Sequence, residues 1–127
     1  MSKRILSVSG NNAMNYLLHT IFKKEYELLP AKDVYDAIYQ LKTNNQIELI
    51  IVDVDFQTKQ SWELVQHIKT SRLFDIPVMV LATSKNEEIE RNCYEYNVDE
   101  IFFKPFNPMD LLAAVKTSAA NVSFSNA

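Results

Sequence analysis

One glycine, one cysteine, one tryptophan and two histidines are all that 127 residues contain of those types. A lone cysteine, Cys93, cannot close an internal disulfide, and no Cys/His spacing suited to a metal site occurs. No apolar run approaches the roughly 18 residues that a membrane span needs. Positive charge is also short: Lys and Arg number 13 against 16 Asp and Glu, for a net charge of −3. The basic residues form no cluster, so direct nucleic-acid binding is not expected, and with no long apolar run neither is a membrane partner. After Met1-Ser2-Lys3-Arg4 the apolar run is too short for a signal-peptide core, which makes a reducing, cytoplasmic setting the expectation. Internal linkers, low-complexity segments and sequence repeats are missing as well. What is left, 47% hydrophobic and 23% charged, is the composition of an ordinary globule. One domain over residues 1–127 is expected, with a core from about 4 to 117 and a small, polar tail, 118–127, that frays.

Against that background, Leu49-Ile50-Ile51-Val52-Asp53 stands out. Four branched apolar residues in a row read as a strand buried on both faces, and it ends in a carboxylate. Shorter runs of the same kind are Ile5-Leu6-Ser7-Val8, Tyr26-Glu27-Leu28-Leu29 stopped by Pro30, Val78-Met79-Val80-Leu81-Ala82 opened by Pro77, and Ile101-Phe102-Phe103. Between them lie helical spacings: Met14, Leu17, Leu18, Ile21 and Phe22; then Val34, Ala37, Ile38 and Leu41, released by Thr43-Asn44-Asn45-Gln46; then Trp62, Leu64, Val65 and Ile68; then Ile89, Cys93 and Tyr96; and finally Leu111, Leu112 and Val115. Ser61 is a plausible N-cap for the third helix. Ser84 to Glu87 has capping-box spacing for the fourth, and Asn107-Pro108 pairs a capping side chain with a first-turn proline for the fifth.

Strand and helix thus alternate five times, which predicts an α/β, flavodoxin-like (βα)5 three-layer sandwich with a parallel five-stranded sheet in the order 2-1-3-4-5. Ligands of such sheets bind outside the carboxyl ends of the strands at the switch point, here between strands one and three. Ser9, Gly10 and Asp53 are placed around that crevice, and Lys104, after strand five, is within reach of it. His19 and His67 fall within helices without a partner motif and read as ordinary helix residues. Cys93 and most of the aromatics Tyr94, Tyr96, Phe102, Phe103 and Phe106 read as core.

The segments Leu49 to Asp53, Ile76 to Leu81 and Lys104-Pro105-Phe106 resemble, in order and near-family spacing, the receiver domain of two-component response regulators, over Arg4 to about Thr117. The resemblance implies a non-enzymatic phosphorelay module in which Asp53 occupies the phosphoacceptor position and Lys104 pairs with phosphoryl oxygens. It also implies a cis Lys104-Pro105 bond. A carboxylate that attacks a phosphoryl group needs the oxygens' charge neutralised, and one lysine does only part of that. In the family an acidic pair after strand one holds Mg²⁺ with the acceptor; here those positions are Ser9 and Gly10, followed by Asn11. The hydroxyl position at the end of strand four falls on Ala82, with Thr83 one residue late and turned to the opposite face by strand alternation unless the strand has already ended. The switching aromatic falls on Ile101, and Gln57 and Ser61 replace the family's proline-glycine pattern.

The leading expectation is therefore a degenerate receiver with no cofactor, in which Mg²⁺ binding is weak or absent and Asp53 is held by Lys104 as a neutral pair. Asp55 is expected to face water, and Trp62 to lie near enough to report on the site. The protein partner, a histidine kinase or a second copy, is expected on the face formed by helix four, strand five and helix five, bound without a switch. Two alternatives remain open: a phosphoaccepting receiver whose metal site is rebuilt with Asp55 or an Asn amide, and a flavin-binding carrier using Ser9-Gly10-Asn11-Asn12 as a phosphate loop.

Overall fold

A computed structural model describes residues 3–43, 46–71 and 75–125, with side chains through Ser118. Met1, Ser2, Asn44, Asn45, Asn126 and Ala127 of the readings above lie outside the described residues. Ten elements alternate: β1 (Lys3–Val8), α1 (Asn12–Phe22), β2 (Tyr26–Ala31), α2 (Val34–Thr43), β3 (Ile47–Asp53), α3 (Thr58–Thr70), β4 (Val78–Ala82), α4 (Glu87–Glu95), β5 (Glu100–Phe103) and α5 (Pro108–Ser125). The strands pair in parallel in the order β2-β1-β3-β4-β5, a flavodoxin-like sheet whose switch point lies between β1 and β3.

Alternation along the strands divides the core into two layers. Leu6, Val8, Ile50, Val52, Val78, Val80 and Ala82 pack with Val34, Ala37 and Leu41 of α2 and with Trp62, Leu64, Val65 and Ile68 of α3. On the other face Ile5, Leu49, Ile51, Met79 and Leu81 meet Leu18 and Phe22 of α1 and Leu111 and Val115 of α5. Every residue of β4, and every residue of β3 except Glu48, is buried, as expected of the central strands of a sheet covered on both sides.

Several local readings need correction. Pro30 does not stop β2, which runs to Ala31 with Pro30 opposite Ser7; β2 is an edge strand, where a residue without an N–H is tolerated. Ser61 does not cap α3. The helix begins at Thr58 after Gln57, whose φ of 49° lies in the left-handed region, and the buried Ser61 hydroxyl donates to Phe56 O at 2.9 Å. At α4 the cap is Asn86 rather than Ser84: its side chain accepts from Ile89 N at 2.9 Å. Asn107 does cap α5, accepting from Met109 N. The tail expected to fray is helical in backbone as far as Ser125; four alanines and no glycine or proline between Ala113 and Ala120 favour propagation.

Candidate functional site

The ends of four strands, β1, β3, β4 and β5, meet at one edge of the sheet. Val54 N donates to Leu81 O at 3.0 Å, and Lys104 N donates to Ala82 O at 2.8 Å, so the ends of β3, β4 and β5 are held in register where the chain leaves them. The Lys104–Pro105 peptide bond is cis. β1 leads into Ser9, and Asn11 caps α1 by accepting from Met14 N. The cavity over this edge is about 560 Å³, with Asp53, Asp55, Thr83 and Lys104 on its polar side and Met14, Leu17 and Phe56 on its apolar side.

The Asp53 side chain is 2% exposed, and its oxygens are engaged from three directions. Oδ1 accepts from Asp55 N at 3.0 Å. Oδ2 accepts from Ser9 Oγ at 3.0 Å and from Lys104 Nζ at 2.8 Å, which fills both lone-pair positions of that atom. Asn11 N in turn donates to Ser9 Oγ, fixing the direction of the hydroxyl. A buried carboxylate satisfied in this way is a stable arrangement, because the charge that burial would penalise is paired and hydrogen-bonded.

Asp55 differs from expectation. Its side chain turns inward: Oδ1 accepts from Thr83 N at 3.1 Å, and Oδ2 accepts from Thr83 Oγ1 at 2.6 Å and from Lys104 Nζ at 2.9 Å. Lys104 therefore bridges two carboxylates, and the crevice carries one net negative charge instead of none. Burial alone would raise the Asp55 carboxyl, but the hydrogen bonds from Thr83 and Lys104, together with the lysine's charge, outweigh it and hold the group below its ordinary 3.8. Burial would likewise lower the Lys104 ammonium; its bonds to Asp53 and Asp55 and their charges raise it above its usual 10.5.

Thr83 meets the condition under which alternation no longer directs it. β4 ends at Ala82 and the backbone bends at Thr83, so the hydroxyl is free to reach Asp55 instead of facing away. Ala82 itself is fully buried, and Ile101 is paired with Val80 and packs partly buried against the α2–α3 layer. Gly10 has a steric role: a Cβ placed there would come within 2.4 Å of the Phe56 ring, which lies over it. Trp62 faces Tyr96 at a ring separation of 6.2 Å and is not among the residues lining the cavity. Tyr94 is 87% exposed and not core, whereas Tyr96, Phe102, Phe103, Phe106 and Cys93 are partly buried and packed against the two layers. Phe56 is the site residue that sequence reasoning missed; the one signal for it was its position in the loop after a strand that ends at the crevice.

Among the described residues no helix is long and apolar enough to cross a membrane. The family described as response regulator receiver domain matches residues 5–116. The regulatory protein VanRc of Enterococcus gallinarum is 29% identical over 119 residues, covering 92% of this chain and 50% of that protein. The alkaline phosphatase synthesis transcriptional regulatory protein PhoP of Bacillus subtilis is 28% identical over 118 residues, covering 91% and 48%. The chain thus spans about half the length of these curated relatives. Among solved structures, the signal receiver domain of a putative LuxO repressor protein from Vibrio parahaemolyticus superposes with a TM-score of 0.87 at 16% identity, covering 99% of this chain and 96% of that one. The chemotaxis protein CheY4 of Vibrio cholerae superposes with a TM-score of 0.83 at 20% identity, covering 93% and 99%. These matches do not favour the flavin-carrier alternative. With the sheet order, the aspartate at the end of β3 and the lysine after β5 already in place, the match over residues 5–116 makes this chain a member of the response regulator receiver domain family, a signalling module of two-component systems.

Proposed function

We propose that this receiver works as a protein-interaction module whose two crevice carboxylates are engaged from within by Lys104, without Mg²⁺-dependent phosphorylation of Asp53. The observation that carries the reading is the lysine bridge: one ammonium 2.8 Å from Asp53 Oδ2 and 2.9 Å from Asp55 Oδ2, with Asp53 itself buried. Mg²⁺ prefers near-ideal octahedral oxygen coordination and dehydrates reluctantly, so it needs several anionic ligands facing one point. The residues present do not fit that demand. Ser9 turns its hydroxyl to Asp53, Gly10 lies under the Phe56 ring, and both available carboxylates face Lys104. In the alternative in which Asp55 rebuilds a metal site, the ion has to compete with three donors that this carboxylate already accepts.

The face of α4, β5 and α5 is the surface we assign to a protein partner, either a histidine kinase or a second copy. Its coupling to Asp53 is reduced because Ala82 and Ile101 stand where a hydroxyl and an aromatic would respond. Binding there is constitutive, and the module acts without catalysing a reaction, in the cytoplasm and without direct contact to nucleic acid or membrane. Incubation with acetyl phosphate and Mg²⁺, followed by intact-mass measurement, tests the reading. The expected result is no phosphoryl adduct on wild type or on Asp53→Asn; an adduct on wild type that Asp53→Asn abolishes overturns it.

A further inference from the structure

Asp55 sits where three donors converge. Thr83 N and Thr83 Oγ1 approach from the end of β4, and Lys104 Nζ from the end of β5; all three point at its two oxygens, at 3.1, 2.6 and 2.9 Å. Two N–H or ammonium groups and a hydroxyl aimed at one anion make an oxyanion cradle, since charge-assisted bonds of this kind are short and directional. Donors and occupant come from different kinds of structure. The backbone leading to the donors is fixed by the sheet: Lys104 N is bonded to Ala82 O, and Ala82 is paired with Phe103. The occupant comes from the turn after β3, with its side chain one-third exposed and the 560 Å³ cavity beside it.

We propose that Lys104 and Thr83 form an oxyanion site that the chain keeps filled with its own Asp55 carboxylate, so that a phosphate-class anion binds there only by displacing Asp55. The inference rests on the reading above that Lys104 is engaged from within by the chain's own carboxylates. A tethered anion competes at an effective concentration in the millimolar range, enough to exclude a weak external ligand at ordinary concentrations. Its charge adds a second barrier. With Asp53 and Asp55 both present, an incoming anion meets a net negative crevice, whereas removal of Asp55 leaves Lys104 balanced against Asp53 alone. The filled cradle also ties Thr83, the first residue of the β4–α4 connection, to the β3–α3 turn without any external ligand.

The test is a titration with inorganic phosphate, at constant ionic strength and without Mg²⁺, followed at the Thr83 amide in ¹H–¹⁵N spectra of wild type, Asp55→Asn and Asp55→Ala. Asp55→Ala is expected to bind at least tenfold more tightly than wild type, with saturable shifts centred on Thr83 and the residues around Lys104. Asp55→Asn, which keeps the side chain's shape and loses its charge, should fall between the two. Adding Lys104→Met to either variant should abolish the gain. Equal affinities in wild type and both variants, no saturable shift in either variant, or shifts away from Thr83 and Lys104 overturn the proposal. Because no metal or phosphodonor is present, this outcome is independent of whether acetyl phosphate modifies Asp53.

Discussion

The centre of the sheet and its α4–β5 margin are built to different standards. α3 sets Ser61, Trp62, Leu64, Val65 and Ile68 into the core, and the strands it covers are buried almost throughout. α4 contributes no fully buried residue, and neither does β5, whose four residues are exposed or partly exposed. Asp53 grows from the first region and Lys104 from the end of the second, so the ion pair between them is also the seam between a fixed frame and a looser margin. Local stability follows buried apolar contact, so the margin is where opening costs least.

Truncation is the strongest way to break this comparison. Leu81→Ala, in the frame, is expected to cost about 3 kcal/mol, whereas Ile89→Ala on α4, where the side chain is only partly buried, should cost less than about 1.5 kcal/mol. Urea denaturation of both variants with unchanged slopes checks the ranking. Equal losses would show that α4 belongs to the frame.

Removing the seam comes next. Lys104→Met leaves Asp53 buried with its bonds from Ser9 and Asp55 N but without a counter-charge, and is expected to cost about 1.5–3 kcal/mol, the range for a hydrogen bond to a charged group. Part of the loss should return in the double variant with Asp53→Asn, which no longer buries a charge. A double-mutant cycle measures that coupling, and additivity of the two variants would dissolve the seam.

The smallest effect is the pH dependence of Asp55, which ties the β3–α3 turn to the ends of β4 and β5. The Asp55 carboxyl is held below 3.8 in the folded chain, so its contribution to stability is complete above that value and is lost as pH falls through the lower folded value. Wild type should therefore lose stability relative to Asp55→Asn as the solution is acidified below about pH 4, and the gap between them should be constant at neutral pH. Parallel acid limbs for the two proteins would mean that Asp55 is not held by Thr83 and Lys104 in solution.

The strands and the two-layer core were legible because period-two and period-3.6 patterns are local. Leu49 to Asp53 announces a doubly covered strand wherever it is placed, and five alternations of strand and helix leave few acceptable topologies. Asp53 and Lys104 were legible as well, since each terminates an apolar run and the sheet order brings those ends together. Helix starts were read less well. Ser61, Ser84 and Asn86 are all chemically able to cap, and the choice among them depends on which backbone N–H groups the fold leaves unpaired. The inward turn of Asp55, the reach of Thr83 and the lie of Phe56 over Gly10 were decided only in three dimensions. Alternation predicts a side chain's direction only while the strand continues, and Thr83 follows the residue where β4 stops. Its partner Asp55 is 28 positions away in sequence and Lys104 is 49 from Asp55, separations across which only the pairing of β3, β4 and β5 sets the distance.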